Sequence, residues 1–313
     1  MQTIVVDGGS ADSSAARLAK FASQPQYRDW VEFLPLPING GFGWANNQAI
    51  LRLLERDNPP EYIHLLNPDS EVEPGAVRYL WDYLDDHPRA AAVGSQLLEL
   101  DGSWTGSAFS FPSIRGELAR GAGTGFIDRL LRAPPVAVET AEAREVEWAT
   151  GASVMFRREA LEEVGLFDEG FFLYHEEIEL MWRMRQAGWT IATEPRSRVR
   201  HVGGGSTGVH SRKVEERLRP RRPHYWYRSR ARFFGLTRGR FAATAAFITW
   251  IAGHMILKLR RLTGLAKDSK PLDHEFRDQL TQARPRQDDF IPAVLPANAR
   301  PTSSPAWMQN RWL

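Results

Sequence analysis

The stretch Trp148–Trp189, WATGASVMFRREALEEVGLFDEGFFLYHEEIELMWRMRQAGW, sets an acidic cluster directly after a run of aromatic residues. The residues after the cluster are predicted to form a helix that ends at a glycine. In such a helix Glu176, Glu179 and Arg183 share one face. Glu177 points about 100° away from them. We therefore expect one carboxylate to face a pocket while its neighbours are held by the arginine.

Two interpretations of the paired acids Glu176 and Glu177 stay open at this point. An acidic helix start is commonly solvated, and the helix dipole stabilises it. The four large apolar residues at 171–174 instead favour burial. Burial raises the pKa of a carboxyl group toward values that suit a general base.

The composition indicates a globular chain of 313 residues, with 42% hydrophobic and 25% charged residues. Zero cysteines exclude disulfides, zinc-thiolate sites and a thiol nucleophile, and are compatible with a cytosolic protein. No basic and apolar leader precedes the first strand pattern, so we expect no signal peptide. The net charge is only +2, but residues 212–240 hold eleven Arg or Lys against two Glu. Such a basic surface suits phosphates, nucleic acid or anionic lipid.

Three short apolar runs each end in a polar or glycine-rich loop, which predicts strands of an α/β fold with ligands at their carboxyl ends. The first run ends at Asp7, followed by GGS, and the second leads into NGGFG at 39–43. The third delivers Asp69 in the turn NPDSE, where a carboxylate could meet a metal or a nucleotide. An ordinary capped turn is an equal alternative for both acids.

Two further motifs have weaker specificity. His201 precedes three glycines, which suits a metal or diphosphate contact, although a lone histidine is more often structural. GFGWAN at 41–46 approaches the dinucleotide fingerprint G-x-G-x-x-G, but Asn46 replaces the last glycine. A nicotinamide-dependent oxidoreductase is therefore one alternative function.

The C-terminal third has a different character. YWYRSRARFF at 225–234 would suit stacking on bases or anchoring at a lipid headgroup layer. Residues 241–257 form a run of 17 without a formal charge, at the lower limit for a membrane span. We expect an interfacial helix there, with a plain buried helix as the alternative. From 283 onward the composition predicts a tail that is either disordered or draped over the surface.

Five blocks in this order resemble the family 2 glycosyltransferases of the GT-A fold, and most of all their rhamnosyltransferase-type members: VVDGGSADSS, NGGFGWANNQAI, LLNPDSEVEPGA, the opening stretch and VRHVGGGSTG. The resemblance covers about residues 3–235. It implies an α/β nucleotide-diphospho-sugar transferase fold with a mixed, mostly parallel central sheet flanked by helices. It also suggests a catalytic domain at 1–210, a helical, membrane-associating extension at 211–282 and a tail at 283–313.

The resemblance also implies roles for individual residues. Glu177 aligns with the acid that deprotonates the acceptor hydroxyl, with Glu176 as its substitute. Asp69 and His201 would hold Mg²⁺ or Mn²⁺ against the donor diphosphate. The residues implied to bind the nucleotide or donor sugar are Asp7, Gly9, Ser10, Asn39, Gly41, Gly43, Asn47, Gly151 and Ala152.

Two departures from the family's pattern carry expectations of their own. Glu177 stands where the family usually has Asp, and the extra methylene moves the carboxylate by roughly one C–C bond length. The family normally has a strand and a helix before VVDxxS, whereas here Met1 lies almost on the second strand. We expect either a start assigned too late or a diverged protein whose donor site is impaired.

The resulting hypothesis is an inverting glycosyltransferase of polysaccharide synthesis, a hexosyltransferase of family 2. It would take a dTDP- or UDP-sugar, with rhamnose favoured, and a lipid-linked or glycan acceptor, and would not bind nucleic acid. We expect it in the cytoplasm, peripheral at the inner face of the cell membrane through about residues 225–262. A non-catalytic membrane-associated scaffold protein with a decayed donor site is the main alternative.

Overall fold

A six-stranded mixed sheet forms the centre of the fold in the computed structural model, which describes residues 2–124, 137–201, 221–265 and 274–309. The strands are β1 Thr3–Asp7, β2 Val31–Pro35, β3 Tyr62–Leu66, β4 Ser70–Val72, β5 Ala90–Leu98, β6 Ala108–Phe109, β7 Arg144–Val146, β8 Trp148–Ala149, β9 Ser153–Arg157 and β10 Thr190–His201.

The main sheet has the order β3-β9-β5-β10-β4, and β7 also pairs with β10. β5 and β10 are parallel, whereas β9 runs antiparallel between β3 and β5. The prediction of an α/β fold with a mixed sheet is confirmed. The sheet is less parallel than predicted, because β9 separates two strands that run in the same direction.

β1 and β2 form a separate parallel pair. Within the described residues β1 pairs with β2 alone, and β3 pairs with β9 alone. β6 and β8 form a third, antiparallel pair beside the loop that contains Gly151.

Helices cover both faces of the main sheet. They are α1 Ser14–Ala22, α2 Phe42–Leu54, α3 Ala76–Asp86, α4 Ile114–Ala122, α5 Arg158–Val164, α6 Glu176–Gln186, α7 His224–Leu262, α8 Glu275–Gln282 and α9 Ala306–Gln309. Alternate residues of β9 point to opposite faces. Met155 packs with Leu80 and Leu84 of α3, while Phe156 packs with residues of α2, α5 and α6.

One element differs from what its sequence predicts. The short apolar runs at 190–193 and 197–202 predict two strands, whereas the structure has one strand, β10, with an irregularity between Glu194 and Arg198. Residues 107–142, whose sequence predicts a loop or a short helical excursion, contain the helix α4. Ser113 caps α4, since its side chain accepts a hydrogen bond from the N–H of Gly116.

Of the two states predicted for the tail, the structure shows the draped one. Residues 283–309 make defined hydrogen bonds with the segment before α6: the N–H of Leu166 donates to the carbonyl of Leu295, and the N–H of Glu169 donates to the carbonyl of Ala293. We call residues 287–309 the C-terminal strap. Its polar composition did not reveal that its backbone groups have partners in the catalytic domain.

Candidate active site

The N-terminus of α6 presents two acidic side chains in a buried setting. Tyr174 and His175, just before the helix, both have left-handed backbone angles, with φ of 70° and 69°. Glu176 is buried and Glu177 is half-buried. Among the described residues, the Oε2 atoms of both glutamates have no hydrogen-bond partner. Unpartnered buried carboxylate oxygens are costly, and such atoms commonly meet a ligand or solvent in the working protein.

The surroundings shift the protonation of this pair. Burial raises the pKa of Glu177 to about 7. Burial, together with the neighbouring Glu177 carboxylate, raises the pKa of Glu176 well above its ordinary value. Both shifts oppose ionisation, as expected for two carboxyl groups that share a poorly hydrated site. A carboxylate that titrates near neutral pH can accept a proton from a hydroxyl group.

Two glycines leave space beside these acids. A Cβ on Gly151 would lie 3.0 Å from the ring of Phe42 and 3.9 Å from Cβ of Glu177. A Cβ on Gly43 would lie 3.6 Å from Cβ of Glu176. The β8–β9 connection, the start of α2 and the start of α6 therefore converge at one place.

The second part of the site lies at the ends of β3 and β10. Nε2 of His201 is 3.1 Å from Oδ1 of Asp69 and 3.4 Å from the side-chain amide of Asn67. The N–H of Asn67 donates to the carbonyl of Ala152 at 2.9 Å. The Gly151–Ala152 loop thus joins the two parts of the site. Asn67 was not predicted, although it belongs to the NPD turn that pointed to Asp69.

Asp69 and His201 suit a divalent cation as a partial set of ligands. Within the described ranges no group of three or more His, Asp or Glu side chains could hold a metal. A carboxylate and an imidazole side by side fit a site whose remaining ligands are phosphate oxygens and water, which Mg²⁺ commonly uses. The three glycines after Val202 lie outside the described residues.

Asp7 and its loop form a third group. Oδ1 of Asp7 accepts a hydrogen bond from the Ser10 hydroxyl at 2.6 Å, and Oδ2 accepts from the Ser10 N–H at 3.0 Å. Gly9 has φ of 72°, and a Cβ there would lie 2.8 Å from the backbone of Ile38. The Asp7 loop consequently lies against the segment that leads to Asn39, and these two predicted nucleotide-binding loops are neighbours.

Three predicted donor-binding residues are used by the fold itself. Gly41 has φ of 93°, and a side chain there would overlap the carbonyl of Phe172. Gly43 packs on Phe167. Asn47 is fully buried, and its amide both accepts from the N–H of Phe167 and donates to its carbonyl, each at 3.0 Å. Their predicted role in lining the nucleoside pocket stays a prediction.

The same contacts remove the physical basis of the dinucleotide interpretation. In that fingerprint the glycines allow the backbone to approach a pyrophosphate. Here the bare faces of Gly41 and Gly43 meet protein atoms. Asn39 accepts a hydrogen bond from the N–H of Gly41 at 3.2 Å, which helps to form the turn.

The arginine on α6 holds only one of its acidic neighbours. Nε of Arg183 donates to both carboxylate oxygens of Glu179, at 2.9 and 3.0 Å. The rest of its guanidinium binds three carbonyls in the loop at 164–166. The prediction was right for Glu179 and wrong for Glu176, whose Oε2 has no partner among the described residues.

The basic segment of α7 faces inward, contrary to the predicted open basic surface. Arg228 pairs with Asp289 at 2.6 Å, Arg230 with Glu117, and Arg232 with Asp168 at 2.6 Å. All three arginines are at least partly buried. These side chains hold neighbouring elements together, so they do not form a surface for stacking on bases or binding lipid headgroups. The earlier basic residues at 212–220 lie outside the described residues.

α7 also contacts the loop before α6, and the sequence did not predict these contacts. The hydroxyl of Ser229 donates to the carbonyl of Leu173 at 2.8 Å, and Arg230 approaches Nε2 of His175 at 3.3 Å. Burial lowers the pKa of His175 to about 3, aided by Arg120 and Arg222, so its ring is neutral. The arginines at every second position of YWYRSRARFF are the available signal, but that spacing does not identify their partners.

The comparisons with known proteins agree with this arrangement. The sequence profile described as Glycosyl transferase family 2 matches residues 1–165, which include Asp7, Asp69 and Gly151 but end before Glu176. A protein of Mycobacterium tuberculosis, N-acetylglucosaminyl-diphospho-decaprenol L-rhamnosyltransferase, is 32% identical over 217 residues, covering 66% of this chain and 68% of that protein. The low-salt glycan biosynthesis hexosyltransferase Agl10 of Haloferax volcanii is 27% identical over 188 residues, covering 60% and 54%.

Solved structures resemble the fold. The crystal structure of GalNAc-T7 with UDP, GalNAc and Mn²⁺ superposes with a TM-score of 0.51 at 13% identity. The match covers 92% of this chain and half of that chain. At this identity the likeness concerns the fold alone, which is the GT-A type.

Proposed function

The chain belongs to glycosyl transferase family 2, and from this premise we propose that it is an inverting glycosyltransferase of polysaccharide synthesis. It moves a sugar from a nucleotide diphosphate donor to a lipid-linked or glycan acceptor. The observation that carries the proposal is the pair of buried, unpartnered carboxylates at the start of α6, joined by the Gly151–Ala152 loop to Asp69 and His201.

Each residue of the site has its own proposed role. Glu177 accepts the proton of the acceptor hydroxyl, whose oxygen bonds to the anomeric carbon as the bond to the donor diphosphate breaks. Glu176 lies beside Glu177 at the start of α6 and is the proposed substitute base. Asp69 and His201 would hold Mg²⁺ or Mn²⁺, which supplies positive charge to a leaving diphosphate. Asp7, Ser10 and Asn39 are the proposed contacts to the nucleoside.

We further propose a dTDP- or UDP-sugar as the donor, with rhamnose on dTDP favoured. The name of the mycobacterial relative, a rhamnosyltransferase with a decaprenol-linked acceptor, supports both the sugar and a lipid-linked acceptor. Such an acceptor lies in a membrane. We therefore propose that the enzyme is peripheral at the inner, cytoplasmic face of the cell membrane, with contact within residues 225–262.

Transfer by the purified protein tests the proposal. With Mn²⁺, dTDP-rhamnose and a prenyl-diphosphate-linked N-acetylglucosamine acceptor, we expect a disaccharide product of inverted anomeric configuration. Glu177→Gln should slow transfer at least about a hundredfold, while Glu159→Gln, at an exposed acid of α5, should leave the rate unchanged. Full transfer by Glu177→Gln would refute the base assignment. Calorimetry that detects no binding of dTDP or UDP with metal would refute the donor assignment and favour a scaffold protein.

A further inference from the structure

The second half of α7 is a helix with two different faces. A break at Gly239, with φ of 77°, separates it from the inward-facing arginines of the first half. One face packs closely on α4: a Cβ on Gly253 would overlap the carbonyl of Leu118, and one on Gly121 would overlap that of Trp250. Residues 240–262 are therefore fixed to the protein along one side.

The opposite face is apolar and exposed. We call its large side chains the apolar stripe; their exposed fractions are 94% for Phe241, 56% for Ile248, 52% for Met255, 62% for Leu259 and 86% for Leu262. At 3.6 residues per turn all five lie within about 40° of Ile248, over a length of about 30 Å. Exposed apolar surface that is continuous on this scale is typical of an interaction site.

The charged residues of α7 itself have a single sign. Residues 224–262 contain no Asp or Glu. Arg240 and Lys258 are exposed and lie on the same flank of the apolar stripe, about 80° round the helix from Ile248. Cations beside a narrow apolar face are complementary to the phosphates and acyl chains at an anionic lipid surface.

The packing decides between lying on a membrane and crossing it. Within the described residues α7 is the one helix that is long and apolar enough to cross, with a mean hydropathy of 1.4 over 18 residues. A third of this 18-residue stretch is buried inside the protein. The ring of His254 packs against the rings of Trp250 and Phe276, at centroid distances of 5.0 and 4.9 Å. Crossing a bilayer would separate this face from its partners, whereas lying in the interface keeps them.

We propose that the apolar stripe docks the protein on an anionic lipid bilayer, with residues 240–262 lying parallel to the membrane surface. The docking surface excludes residues 225–238, whose arginines are engaged inside the protein. This inference deepens the proposed function and rests on it for the presence of an acceptor at a membrane. The docking surface would hold the active site beside a substrate that stays in the bilayer.

Vesicle flotation of the full chain tests the docking surface. We expect binding to vesicles of phosphatidylglycerol and phosphatidylcholine, and weaker binding to phosphatidylcholine alone. The triple variant Ile248→Gln/Met255→Gln/Leu259→Gln should bind at least about tenfold less. Arg240→Gln/Lys258→Gln should lose most of the preference for phosphatidylglycerol. Leu100→Gln, at a side chain 68% exposed in the hairpin after β5 and not on α7, is the matched control and should bind like the wild type.

Three results would overturn the proposal: no binding of the wild type to anionic vesicles, undiminished binding of a folded triple variant, or conversion of a wild-type dimer to a monomer by the triple variant with unchanged vesicle binding. The last result would assign the apolar stripe to a second copy of the chain. Circular dichroism shows whether the variants are folded. Transfer to a short, water-soluble acceptor is measured in parallel. If the wild type binds vesicles but catalyses no transfer, the proposed function fails and the docking surface stands.

Discussion

The carboxylate of Asp168 lies 2.6 Å from the guanidinium of Arg232, and both side chains are almost fully buried. Oδ2 of Asp168 also accepts from the N–H of Ala293 at 2.7 Å, and Arg232 donates to the carbonyl of Ile291 at 2.8 Å. This ion pair therefore joins the loop before α6, the first half of α7 and the C-terminal strap. The geometry of the loop before α6 therefore depends on residues far along the chain.

Breaking this pair from either side should be strongly destabilising. Arg232→Met leaves the Asp168 carboxylate buried without its cation, so we expect the free energy of unfolding to fall by about 3–5 kcal/mol. Asp168→Asn should cost a similar amount. The double variant should lose less than the sum of the two, as measured by urea unfolding. A loss below about 1 kcal/mol for Arg232→Met would contradict the interpretation.

The exposed pair of Arg158 and Glu162 is the matched control. Its atoms are 2.9 Å apart, but the side chains are 33% and 43% exposed. Arg158→Met should change the free energy of unfolding by about 0.5 kcal/mol or less, because solvent screens the attraction.

The rate of transfer should depend on the ionisation of Glu177. Burial raises its pKa to about 7, and the general base must be ionised, so kcat should fall as the pH drops below about 7. Glu177→Gln should lower kcat by a factor of about 10² to 10⁴. Initial rates of transfer, measured between about pH 5.5 and about pH 9, test this dependence. A profile that stays flat across this range would exclude Glu177 as the base.

Burial of the same group should make the free protein less stable at higher pH. The pKa of Glu177 in the folded state, about 7, is above the ordinary value of 4.5, so its contribution is fully present below about pH 4.5 and is lost as the pH rises through 7. The free energy of unfolding should therefore fall between pH 5 and pH 8, by up to about 3 kcal/mol from this group. Glu177→Gln should reduce that fall, whereas an unchanged slope would show that Glu177 is hydrated.

Metal-dependent nucleotide binding should require Asp69. Its carboxylate is the harder ligand of the Asp69 and His201 pair, so Asp69→Asn should weaken binding of dTDP in the presence of Mn²⁺ at least about tenfold. Binding in the presence of a chelator should change little. Glu71→Gln removes an exposed carboxylate two residues away and should leave both affinities unchanged. Calorimetry provides the affinities, and equal values for Asp69→Asn and the wild type would remove Asp69 from the metal site.

A side chain at Gly41 should disturb the start of α2. Gly41→Ala would overlap the carbonyl of Phe172 in addition to adopting an unfavourable φ of 93°. We expect a loss of at least about 2 kcal/mol in the free energy of unfolding. Gly8→Ala, with no atom within 4 Å of the added Cβ, should change stability by about 0.5 kcal/mol or less. Thermal unfolding of both variants compares the two positions, and equal midpoints would contradict the packing argument.

The sequence predicted the parts of this molecule that depend on local pattern. The apolar runs Tyr62–Leu66 and Ala90–Leu98 form strands over their whole length, because apolar runs between turn residues specify strands. The ordered motifs predicted the family, and the structure places Glu177, Gly151 and Asp69 in one connected region. Their individual roles stay predictions.

The features that the sequence did not predict depend on contacts between residues far apart in the chain. Arg228, Arg230 and Arg232 form an apparent basic surface in the sequence, and only their partners on other elements show that they are internal. Asn47 matched a binding motif, but its two bonds to Phe167 span 120 residues. Local composition also could not reveal the C-terminal strap, whose order comes from backbone groups of the catalytic domain.

The indole N–H of Trp307 donates to the carbonyl of Gly40 at 2.8 Å, across 267 positions, and its backbone N–H donates to Glu169. During synthesis the loop around Gly40 leaves the ribosome long before Trp307 does. A nascent chain that has not yet extended past residue 300 lacks both the contact at Gly40, just before α2, and the contact at Glu169, in the loop before α6. The loop at Gly40 therefore acquires this support only when the strap has been translated.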